Sequence, residues 1–105
     1  MTESQIGRVW RGIVQIAVLV LDFHLPGCRS LKEKRQRLGG LRDRVGKQSQ
    51  LAVAESDKAD LHQQAQWTVL ILGSTRAQVM QRMEQVLNGL QDYDAVLCNQ
   101  QLEWL

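Results

Sequence analysis

The chain has 105 residues, a mass of 12.0 kDa, 44% hydrophobic and 23% charged residues, and a formal net charge of +2. That length supports one domain with one sheet-and-helix core and leaves no room for a separate catalytic domain. The longest apolar run, Ile16 to Leu21, is far short of the ~20 residues of a membrane span, and two distant cysteines, Cys28 and Cys98, make neither a disulfide framework nor a zinc site.

Met1 to about Arg11 lacks periodicity and is expected to be a partly ordered lead-in in which Trp10 packs. Its first residues have neither the basic start nor the apolar middle of a signal peptide, so a soluble cytoplasmic protein is expected, without a membrane partner. From Ile13 to His24 the run IVQIAVLVLDFH is β-branched and apolar and predicts a central strand. Leu25, Pro26 and Gly27 end it in a turn. Ser30 and Glu33 then form a Ser-x-x-Glu capping box, the signature of a helix start. In that helix Leu31, Leu38, Leu41 and Val45 share a face, and Lys34 falls inside the same stripe. Gly39 and Gly40 interrupt it at up to about 1 kcal/mol each. A close approach to the sheet accounts for one of them, a kink being the alternative.

Gln50 to Glu55 reads as a second strand with Leu51 and Val53 on one face, Ser56 to Gln64 as a polar connection, and Trp67 to Leu72 as a third strand. Ser74 and Thr75 open a second helix with an apolar stripe of Val79, Met80, Met83, Val86, Leu87 and Leu90 and a wet side that includes Gln78, Gln81, Arg82 and Gln85. Gly89 and the Asp92-Tyr93-Asp94 cluster end it. Ala95 to Leu105 returns as a strand with Val96, Cys98, Leu102 and Trp104 on one parity. The order β-α-β-β-α-β predicts a single ferredoxin-like α+β domain over 13–105, a four-stranded antiparallel sheet with both helices on one face. The first strand is apolar on both parities, so the helix-free face of the sheet needs a cover. A second copy of the chain is the simplest one, and a homodimer is expected.

Charge is distributed unevenly. Between Arg29 and Lys47 eight basic residues meet only Glu33 and Asp43, a local net charge of +6 in a chain of +2 overall. Such a segment is suited to phosphate. RNA is therefore the expected partner, with Arg29, Lys32, Lys34, Arg35, Arg37, Arg42 and Arg44 as phosphate contacts; an ordinary solvated helix surface is the alternative. The capping box competes for the first-turn amides, which favours contact by side chains over cradling by backbone. The spread of charge around the helix favours reading of shape and backbone over sequence. One Phe and one Tyr are too few for a base-stacking sheet of the RNA-recognition-motif kind.

The segment His24-Leu-Pro-Gly-Cys-Arg-Ser-Leu-Lys-Glu-Lys-Arg35 closely resembles the opening motif of the YlxP-like family of short bacterial proteins, which has no assigned activity. Val53-Ala-Glu55 resembles that family's second strand, and Asp60-Leu61 with Gln64-Ala65 its following connection. His62 stands where the family has tryptophan, and Gly39-Gly40 where it keeps ordinary helix formers. The resemblance implies a ferredoxin-like domain in a translation or ribosome-maturation setting, with ribosomal or precursor RNA as the expected RNA, and supplies no catalytic residues.

Enzymatic candidates are weak. Asp22 and His24 share one face of a strand, a spacing in which a carboxylate can orient an imidazole, yet a structural hydrogen bond is the better reading. Cys28, beside Arg29 at a helix start, has the setting of a reactive thiol, although a small turn residue serves as well there. No metal-ligand spacing or nucleotide-binding loop is present. A non-enzymatic protein without cofactor is expected. Its main rival reading is a regulatory interaction module that pairs through the open sheet face.

Overall fold

Aliphatic and β-branched residues at alternate positions build the sheet. In a computed structural model of the chain, which describes residues 13–105, the first strand β1 spans Gln15–His24 and buries Ala17, Leu19, Leu21 and Phe23 on one side. The lead-in with Trp10 lies outside the described residues. Helix α1 (Leu31–Gly46), strands β2 (Leu51–Asp57) and β3 (Gln64–Gly73), helix α2 (Arg76–Gly89), a 3-10 turn (Leu90–Asp92) and strand β4 (Val96–Trp104) follow. Among the described residues no helix is long and apolar enough to cross a membrane.

The strands form one antiparallel sheet in the order β2-β3-β1-β4. The fold is the ferredoxin-like α+β arrangement expected from the element order. The odd positions of β1 meet Ala65, Trp67, Val69 and Ile71 of β3 and pack beneath Leu38, Leu41 and Val45 of α1 and Val79 and Val86 of α2. Each fully buried aliphatic side chain in this layer contributes about 1.5–3 kcal/mol. Phe23 and Trp67 meet edge to face at 5.8 Å.

Two expectations are corrected. The pair Gly39-Gly40 does not interrupt α1, which runs unbroken from Leu31 to Gly46. Gly40 is explained by the ring of Tyr93, 3.2 Å from where a Cβ would stand, rather than by the sheet; at Gly39 a Cβ would meet nothing within 4 Å. In β4, Val96 and Cys98 do not share a face with Leu102 and Trp104. A bulge shifts the pairing between Asp22 and Phe23, so that Phe23 faces Leu97 while Leu19 faces Leu102 and Ala17 faces Trp104. An inserted residue reverses the parity of everything beyond it, and the residues packed on the core are Ala95, Leu97, Leu102 and Trp104.

Candidate nucleic-acid interface

Helix α1 starts where the capping box places it. Ser30 is extended, with φ −153°, and its Oγ accepts from the Glu33 N–H at 3.1 Å, while Glu33 Oε2 accepts from the Arg29 N–H at 2.8 Å. The Arg29 N–H bond, then the Arg37 guanidinium, hold the Glu33 carboxyl below the usual carboxylate range. A fixed anion thus already occupies the helix start, and an incoming phosphate is left to the side chains.

Two of the seven expected phosphate contacts have other work. Lys34 is 4% exposed; its Nζ donates to Lys58 O at 2.8 Å and Leu61 O at 3.0 Å and pairs with Glu55 Oε1 at 2.8 Å. An ammonium has three donors, and all three are used, so Lys34 has none left for RNA. The position inside the apolar stripe follows from this: Lys34 ties α1 to the β2–β3 connection. Lys58, in that connection, has a left-handed backbone with φ 62°, a conformation costing a non-glycine residue roughly 1–2 kcal/mol. Arg37 is likewise engaged. It pairs with Glu33 Oε1 at 2.7 Å and Asp94 Oδ2 at 3.5 Å and donates to Pro26 O at 2.7 Å. These bonds fasten the β1–α1 turn, the helix and the approach to β4 together.

Arg29, Lys32, Arg35, Arg42 and Arg44 are exposed. At 100° per residue Lys32, Arg35 and Arg42 fall on one flank of α1, with Arg35 and Arg42 two turns, about 10 Å, apart. That flank faces β2, since Arg35 and Arg42 border a cavity with Glu55 of that strand. No ion pair or hydrogen bond among the described residues engages Lys32, Arg35 or Arg42. Arg44 lies on the other flank, its guanidinium carbon 3.4 Å from where a Cβ on Gly89 would stand. Within the basic segment Lys34 and Arg37 thus serve the fold, while Lys32, Arg35 and Arg42 form a flank of cations unpaired among the described residues.

Asp22 and His24 are not brought together. The ring Nδ1–H of His24 donates to Gln63 O at 3.1 Å, a bond that fixes the tautomer because a carbonyl only accepts. Asp22 Oδ1 accepts from Gln66 Nε2 at 3.1 Å and lies 3.6 Å from Lys58 Nζ. The Cys28 thiol is buried and donates to Ser30 O at 3.5 Å. Cys98, in contrast, is exposed.

The helix-free face of the sheet carries Ile16, Val18 and Val20 opposite Leu72, Leu70 and Thr68, with Ala52 and Ala54 alongside. Leu70 and Leu72 are exposed large apolar residues. No aromatic residue stands at these positions, so among the described residues they offer no base-stacking platform. It is an apolar surface on the side of the sheet opposite α1.

One residue of the α1 anchor escaped the sequence reading. Glu55 shares the parity of Leu51 and Val53 in β2, facing Trp67 of β3. A carboxylate on a core parity, set against a lysine in the core stripe of α1, was the available signal.

The family model for DUF503, a protein family of unknown function, matches residues 16–100. The chain belongs to that family, the YlxP-like one that its His24–Arg35 segment resembles. No curated protein matches the chain.

Proposed function

We propose that this DUF503 protein is a non-enzymatic RNA-binding accessory factor of translation or ribosome maturation, and that it meets RNA with the β2-facing flank of α1. The observation that carries the reading is the row Lys32, Arg35 and Arg42, without acidic partners among the described residues, while Lys34 and Arg37 are neutralised. Unpaired cations on a rigid helix attract a polyanion without first breaking ion pairs. Arg29 extends the footprint at the start of the helix, whereas Arg44, on the other flank beside Gly89, lies outside it. The apolar face formed by Ile16, Val18, Leu70 and Leu72 supports a second element of the proposal, pairing of two copies through the sheets. That pairing leaves α1 of each copy outward and doubles the basic surface.

The test is binding to a labelled structured RNA over a salt series. Three to four phosphate contacts predict that log affinity falls linearly with log salt, with a slope of roughly −2 to −4. A slope near zero, or no binding at low salt, contradicts the reading.

A further inference from the structure

A cavity of about 270 Å³ lies between α1 and the sheet, next to the unpaired cations. Leu31, Leu38 and the indole of Trp67 give it apolar walls, and Arg35 and Arg42 border it from the helix. Gly39 lies between those two arginines along α1, and because a Cβ there would meet nothing within 4 Å, the missing side chain is what keeps that side of the cavity open. The Lys34–Glu55 pair also lines it. Glu55 uses Oε1 on Lys34, and Oε2 has no partner among the described residues. Trp67 Nε1 is buried without an acceptor among the described residues.

From this arrangement we infer that the cavity receives one unpaired nucleobase of the bound RNA, with the adjoining phosphates on Arg35 and Arg42. The inference rests on the RNA reading above and names the form of RNA that this flank selects. The volume lies just below the roughly 300–1,000 Å³ of sites for drug-sized ligands, which suits an occupant the size of one base. Electrostatics selects among such occupants. A fatty or aromatic acid that put its carboxylate on the arginines would set a purely apolar body against Glu55. A base carries donors as well as acceptors, and an exocyclic amine or ring N–H can donate to Glu55 Oε2. The phosphates on either side of the base then fall where the free cations stand. A duplex keeps its bases stacked and has only its backbone to offer this flank.

The experiment compares a single-stranded RNA with a duplex of equal length, using the unmodified chain, Gly39→Leu and Arg35→Glu plus Arg42→Glu. Leucine is a better helix former than glycine and its side chain extends into the cavity, so Gly39→Leu fills the site in a folded protein with its charges intact; circular dichroism checks the fold. The unmodified chain is expected to prefer the single strand by about tenfold, within the range that stacking of one base on an aromatic side chain is worth. Gly39→Leu abolishes that preference and leaves duplex affinity within about twofold, whereas the double reversal weakens both RNAs. Equal affinity of the unmodified chain for both RNAs, or a preference that survives Gly39→Leu, overturns the base pocket while leaving salt-dependent binding in place. Failure of the unmodified chain to bind either RNA overturns the pocket and the RNA reading together.

Discussion

Lys34→Glu is expected to unfold the domain or leave it barely stable, while Arg35→Glu, one residue further on, changes stability by no more than about 0.5 kcal/mol. The contrast follows from burial. Lys34 is 4% exposed and holds Glu55 and the carbonyls of Lys58 and Leu61. Glutamate there faces Glu55 across a distance fitted to an ion pair and leaves two carbonyls without a donor. Removing one partner of a buried pair costs about 3–5 kcal/mol, a large share of a stability of roughly 5–15 kcal/mol. Lys34→Met, which leaves no like charge behind, falls at or below the lower end, because the Glu55 side chain is 27% exposed and regains water. Lys34→Met combined with Glu55→Leu recovers part of the loss, since an apolar pair suits the same space. Urea unfolding followed by circular dichroism measures all four. Wild-type stability in Lys34→Glu contradicts the anchor.

Reversal of both Arg35 and Arg42 to glutamate is expected to reduce RNA affinity at low salt by at least about tenfold, and to make the salt slope shallower by about two, one for each phosphate contact removed. Neither residue holds a partner among the described residues, so the fold is unaffected and any loss belongs to the interface. Lys34 is unsuited to such a test despite its place in the basic run, because its loss of binding is inseparable from loss of structure. Anisotropy titrations of the folded variant across the same salt series decide the matter, and an unchanged slope removes Arg35 and Arg42 from the contact set.

Much of the fold was legible in the sequence. The β-branched run of β1 and the Ser30–Glu33 box named their elements through local chemistry, and those elements stand where that chemistry puts them. The parity of β4 was not legible: Val96, Leu97 and Cys98 are all apolar, so no alternation marks where the bulge reverses the faces. Gly39 and Gly40 carried a propensity cost that tertiary context overrides, one glycine accommodating Tyr93 and the other opening on a cavity. At the interface, sequence located the charge but could not sort it. Lys34 and Arg35 are neighbours, and 100° of helical rotation separates a buried anchor from a free cation. The partner of Lys34 is 21 residues away, and only the parity shared by Glu55, Leu51 and Val53 pointed inward.

The two surfaces make opposite claims on the molecule. Helix α1 offers paired and unpaired cations to an anion, and the open face offers Ile16, Val18, Leu70 and Leu72 to an apolar partner. Amide chemical-shift mapping during titration with the structured RNA tests most directly which of them meets nucleic acid. Shifts are expected to gather on Lys32, Arg35, Gly39 and Arg42 and on Glu55 of β2, and to fade as salt rises. Shifts confined to the open face, or none at low salt, contradict it.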